Sequence, residues 1–139
     1  MANTSIPAQY VLILIDMVEH AGCSRKKLLA GTLLETTDIA AIGARIPDTE
    51  FNQLVANAQA LTDDTALGLK LGLRLNLSAH AVLGQAFITC TDLAQAMELF
   101  LKYNHLLASG LHLDFESHGE RCALILPTTP GGTNVEFEY

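Results

Sequence analysis

Apolar residues recur along this chain at helical spacing as far as Gly110 and at strand spacing beyond it. Pro7 suits the first turn of a helix that runs to about Ala21. Val11 to Ile15, Met17 and Val18 make that helix apolar nearly all round, so it must be buried on most sides or lie in an interface. Gly22 ends it, and Ser24 caps a short second helix bearing Leu28 and Leu29, stopped by Gly31. Residues 32–47 read as irregular, with one helical turn around Asp38 to Ala41 and Pro47 as the close.

Asp48 then places a negative charge where a helix macrodipole favours it. The helix it opens carries Phe51, Leu54, Val55, Ala58 and Leu61, an amphipathic stripe. Asp63 or Asp64 caps a further helix through about Leu71, with Gly72 and Asn76 as loop. Val82, Leu83, Ala86 and Phe87 share one helical face. Asp92 caps the most regular helix, whose stripe of Leu93, Ala96, Met97, Phe100, Leu101, Asn104 and Leu107 predicts the central core helix of the fold.

After Gly110 the period drops to two: Leu111, Leu113 and Phe115 alternate with His112, Asp114 and Glu116. A turn at Ser117-His118-Gly119 leads to a second strand, Arg121 to Leu126. A third strand follows with Val135, Phe137 and Tyr139. The pattern predicts an α+β fold, a predominantly helical domain followed by a small antiparallel sheet against the last long helix. At 139 residues it is one domain, spanning 1–139. Its last residues fall in mid-strand, as expected of a piece of a longer protein. That unpaired edge and the apolar first helix predict self-association, a homodimer above all.

Composition narrows the function classes. Half the residues are hydrophobic and only 17% are charged, which points to a packed domain with some apolar surface awaiting a cover. The net charge of −7 opposes duplex DNA, whose binding relies on basic groups displacing counterions. The densest basic cluster is Arg25-Lys26-Lys27, so nucleic acid is not expected to bind this chain by itself. Three cysteines, Cys23, Cys90 and Cys122, lie far apart and unpaired in spacing, which reads as reduced, buried thiols of a cytoplasmic protein. The apolar run Val11 to Ile15 is too short for a membrane span and lacks signal-peptide flanks.

No catalytic constellation stands out. His105, His112 and His118, or His20 with Cys23, do not have the convergent spacing that zinc requires, so no metal is expected. No nucleophile elbow, phosphate-cradling glycine loop or dinucleotide fingerprint is present, so neither an enzyme nor a cofactor is expected. Arg45 is read as a group that locks irregular backbone, through a carboxylate or a loop carbonyl. Gly68 and Gly84, inside helical patterns, are read as points of close helix approach. Pockets combine apolar walls with a few convergent polar groups. His80, Tyr103, Asn104 and His105 are the ligand-pocket candidates, against the alternative of a core tyrosine and surface histidines.

A series of short signatures runs in fixed order through the middle of the chain. Arg45-Ile46-Pro47 precedes the helix with Phe51 and Leu54. Thr62-Asp63-Asp64-Thr65-Ala66-Leu67-Gly68-Leu69 and Gly72 follow, then Leu83-Gly84-Gln85-Ala86, then Asp92-Leu93-Ala94-Gln95-Ala96 leading to Tyr103. The set resembles the N-terminal effector-binding, arabinose-binding-like domain of AraC/XylS-type transcription regulators, over roughly residues 10 to 127. The resemblance implies a cytoplasmic domain that senses a small-molecule effector and passes its state to a C-terminal helix-turn-helix domain outside this chain. DNA would then be contacted only through that missing domain, and no membrane is involved. A ligand-free dimerisation or interaction module is the alternative.

Overall fold

The computed structural model describes residues 5–35, 39, 45–106, 113–119 and 121–125. In chain order it begins with a strand absent from the hydrophobic pattern. β1 (Ser5–Pro7) pairs antiparallel with β2 (Arg45–Pro47), with Ile6 opposite Ile46 and both isoleucines buried. Strands of three residues are too short for alternation to register. Arg45 locks the pair: its Nε donates to Ser5 Oγ at 2.9 Å and its Nη2 donates to the Ser5 carbonyl. Arg45 thus bonds a carbonyl rather than a carboxylate, but one in a strand rather than in irregular backbone.

Pro7 and Pro47 each end a strand and cap the helix that follows, at φ −61 and −56. Pro7 therefore stands just before the first turn rather than in it. Proline's fixed φ and missing N–H suit that junction. The helix α1 (Ala8–His20) buries Val11, Leu14, Ile15, Met17 and Val18, as its nearly all-round apolar pattern requires. Ser24 occupies the cap position of α2 (Arg25–Leu29), but its side chain makes no capping bond. Instead Asn57 Nδ2 donates to the carbonyls of Leu28 and Ala30, at 2.8 and 2.9 Å, and holds the end of α2 from the next helix.

That helix, α3 (Asp48–Thr62), buries Leu54, Val55 and Ala58. Asp63 does not start the following helix. It terminates α3 in the left-handed region at φ 50, a conformation Asp tolerates better than most residues. Asp64 Oδ1 accepts from the Ala66 N–H in a local turn at 3.0 Å. The helix α4 (Leu67–Arg74) then contains Gly72 in its interior rather than in a loop, and buries Leu67 and Leu71. Leu14, Leu28 and Leu54, from α1, α2 and α3, are fully enclosed. With Ile6, Leu34, Ile39 and Ile46 around them, they make this the core of the described residues.

A 3₁₀ turn, Leu77–His80, leads to α5 (Ala81–Ile88). Here Leu83 is buried while Val82 is 75% exposed, so the inward face omits Val82. Gly84 packs against the Leu77 carbonyl, so the close approach is to the preceding turn and not to another helix. The last helix, α6 (Leu93–Tyr103), is capped as its sequence predicts. Asp92 Oδ1 accepts from Gln95 N–H at 2.8 Å, and Gln95 Oε1 accepts in return from Thr91 N–H at 2.7 Å.

Yet α6 buries none of its residues, and Leu93 is 76% exposed. It is not the central core helix. Its stripe meets α5, where the Phe87 and Phe100 rings lie 6.1 Å apart. Periodicity identifies the face of a helix, but neighbours decide whether that face is covered.

The period-two segment forms a hairpin, β3 (Asp114–His118) with β4 (Arg121–Ile125), Phe115 opposite Leu124 and His118 opposite Arg121. The chain reverses at Gly119, φ 62, so Ser117 and His118 stay in the strand rather than in the turn. β4 exposes all five of its residues, so the expected packing against the last long helix is not seen among the described residues. The turn predicted around Asp38 to Ala41 lies outside the described residues apart from the buried Ile39. Leu107, Leu111, His112 and the strand predicted with Val135, Phe137 and Tyr139 lie outside them entirely. Among the described residues the architecture is α+β, helices with two small antiparallel sheets. All three cysteines are free, but only half-buried at Cys23 and Cys90 and exposed at Cys122, which corrects the expectation of burial.

Candidate functional site

His80 ends the 3₁₀ turn and caps α5, which points it back toward the first turn of α1. The Tyr10 hydroxyl and His80 Nδ1 are hydrogen-bonded at 2.7 Å, with the rings edge-on at 5.8 Å and 80°. Burial pushes the Tyr10 phenol up to about 12, against the opposing pull of the Arg45 charge. Burial also pulls the His80 imidazole below its ordinary value. Both shifts favour the uncharged forms, because a charge leaving water without a partner is costly.

The other three candidates cluster at the end of α6. Asn104 turns inward, 8% exposed, and its Nδ2 donates to the Leu101 carbonyl at 3.3 Å. Tyr103 and His105 face outward with rings 6.5 Å apart, and Lys102 Nζ sits 5.3 Å from the Tyr103 ring centre. The interactions of the described residues thus join Tyr103 with His105, and His80 with Tyr10, and do not bring the two groups together.

A cleft of about 490 Å³ opens elsewhere, between the C-terminal ends of α1 and α3 and one side of α4. Met17, His20 and Ala21 line it from α1, and Thr62 and Asp64 from the end of α3 and its loop. Leu67, Lys70, Leu73 and Arg74 line it from α4. Two ion pairs cross its rim. Lys70 pairs with Asp64, and Arg74 Nη1 meets Asp16 Oδ2 at 3.0 Å. Asp16 also receives His20, whose Nδ1 lies 3.2 Å from Oδ1 and 2.8 Å from the Asp16 carbonyl. The bond to Lys70 holds the Asp64 carboxyl below its usual range.

None of these lining residues was a candidate from the sequence. The spacings Asp16–His20 and Lys70–Arg74, four residues apart on helices, were a readable signal of charged groups sharing a face. The tie from Asp16 to Arg74, 58 residues apart, was not. Among the described residues no group of three or more His, Cys, Asp or Glu side chains is placed to hold a metal ion. Among them, too, no helix is long and apolar enough to cross a membrane.

Residues 22–138 match the family model of the arabinose-binding domain of AraC transcription regulators, N-terminal. The chain is 37% identical over 109 residues to the ornithine utilization regulator of Pseudomonas aeruginosa PAO1, covering 78% of this chain and 32% of that protein. It is 27% identical over 117 residues to uncharacterized HTH-type transcriptional regulators of Mycobacterium bovis and Mycobacterium tuberculosis, covering 81% of this chain and 33% of each. All three relatives are named as regulators, the two mycobacterial ones as transcriptional regulators, and the chain spans about a third of their length. With a family model matching most of its residues, the chain belongs to the N-terminal arabinose-binding domain family of AraC-type transcription regulators.

Proposed function

We propose that this chain is the effector-sensing part of an AraC-type transcription factor, acting in the cytoplasm on a small molecule and reporting to a C-terminal DNA-binding domain. The observation that carries the reading is the family match across residues 22–138. The acid balance of the chain agrees with it: at net charge −7, contact with DNA must come from another part of the protein. His80, Tyr103, Asn104 and His105, none of which lines the α1–α3–α4 cleft, are a second candidate place for the ligand, with Tyr10 added through its bond to His80.

Ligand-dependent stabilisation tests the proposal. A ligand at 100 times its dissociation constant adds about 2.7 kcal/mol to the folded state. The panel is amino acids including ornithine, after the name of the Pseudomonas relative, together with sugars and fatty acids. A rise in melting temperature that saturates with one class supports sensing. A chain that responds to no class, yet self-associates, supports the second reading, a dimerisation module without ligand. What favours that second reading is the apolar side chains left in solvent, Leu73, Val82 and Leu93 foremost.

A further inference from the structure

The charge layout of the α1–α3–α4 cleft indicates what it can hold. Both α1 and α3 end on it, at His20 and Thr62, so the negative ends of two helix dipoles border the space. Asp64 adds a carboxylate to the same wall. Against these stand Lys70 and Arg74, one turn apart on α4, both lining the cleft. Met17 and Leu67, both buried, supply an apolar base. A ligand that is only anionic meets Asp64 and two carbonyl-rich helix ends. One that is only cationic meets Lys70 and Arg74.

We propose that this cleft binds a zwitterionic α-amino acid, its carboxylate on Lys70 and Arg74 and its ammonium on Asp64 and the carbonyl ends of α1 and α3. The assignment rests on the effector-sensing reading and names its ligand class. The ion pairs already in place are no barrier, because exposed pairs are weak. A ligand with both charges takes over Lys70, Arg74 and Asp64 and leaves Asp16 to His20. The two helix ends and Asp64 together offset Lys70 and Arg74, which suits a ligand carrying both charges. Arg74 is the tie of α4 to Asp16 of α1, so its transfer to a ligand carboxylate also loosens one helix from the other and supplies a signal.

The test is calorimetric titration of the whole 139-residue chain with L-lysine, Nα-acetyl-L-lysine and cadaverine. The variants are Asp64→Asn, Lys70→Gln and Arg74→Gln, with Arg25→Gln on α2 as the control. L-lysine should bind, and each analogue lacking one charged group should bind at least tenfold more weakly, as loss of a charge-assisted hydrogen bond implies. The three cleft variants should show the same loss with unchanged circular dichroism, and Arg25→Gln should match the parent. Should one variant fold poorly, the other two carry the comparison. Unchanged L-lysine binding in all three overturns the cleft while leaving sensing intact. Cadaverine binding as well as lysine, or stabilisation by a sugar or fatty acid alone, overturns the amino-acid class. No response to any probe class overturns the sensing reading itself, and this site with it.

Discussion

Gly84 and Gly72 lie inside neighbouring helices, and replacing each with alanine should move stability in opposite directions. A Cβ on Gly84 would stand 1.6 Å from the Leu77 carbonyl oxygen and 2.6 Å from its carbon, whereas a Cβ on Gly72 meets nothing within 4 Å. Helix propensity favours alanine by about 1 kcal/mol at either site. At Gly72 nothing opposes that gain, so Gly72→Ala should stabilise by roughly 0.5–1 kcal/mol. At Gly84 the obstacle is main chain, and it must retreat by roughly 2 Å to reach ordinary contact. Leu77 opens the turn that buries Ala79 and sets His80 against Tyr10, so the retreat disturbs both. Overpacking of this kind costs about 1–3 kcal/mol, and moving main chain rather than a side-chain end places it toward the upper end. After the propensity gain, Gly84→Ala should be destabilising by about 1–2 kcal/mol. Urea denaturation followed by far-ultraviolet circular dichroism measures both variants. If Gly84→Ala proves as stable as Gly72→Ala, the turn does not press on α5 and the argument is wrong.

The core and the last helix should differ sharply: Leu54→Ala, fully enclosed, should cost about 2–5 kcal/mol. Phe100→Ala, on a helix without a buried residue, should cost less than Leu54→Ala in the same urea series, and a larger loss would restore α6 to the core. Removing the cap of α6 with Asp92→Ala should cost about 0.5–2 kcal/mol. Ser24→Ala, which removes no capping bond, should change the melting temperature little, and equal losses would contradict the two cap geometries. Burial lowers the His80 pKa in the folded state, so that state binds fewer protons than the unfolded chain in mildly acid solution. The stability involved is present above the ordinary histidine value of about 6.5 and lost as pH falls through the lower folded value. His80→Gln should flatten the fall in melting temperature between neutral and acid pH, and an unchanged slope would count against the buried pair.

What could be read from the sequence was local. Leu54, Val55 and Ala58 announce the inner face of α3 by spacing alone, and Asp92 announces the start of α6. What could not be read depends on partners far along the chain. β1 and β2 have no pattern of their own and exist because Ile6 meets Ile46. The stripe of α6 was legible, but not that the described fold leaves it half-covered. The same limit applies to function. His80 could be named from its chemistry, yet Tyr10, 70 residues away, came only with the fold. The cleft escaped entirely, since its charges are ordinary surface residues until α1, α3 and α4 bring them together.

The β1–β2 ladder also has a consequence for synthesis. Synthesis runs from the amino end, so the apolar α1 emerges before the elements that cover it. Its partners are late: β2 closes the ladder only at Pro47, and α3, which covers α1, is complete only at Thr62. At 5–20 residues per second, the interval from His20 to Thr62 lasts roughly 2–8 s. A 13-residue helix with this much apolar surface is marginal by itself in water and open to aggregation meanwhile. Nascent-chain folding should therefore set in abruptly once α3 clears the exit tunnel, and until then α1 is a natural substrate for a chaperone that binds apolar segments.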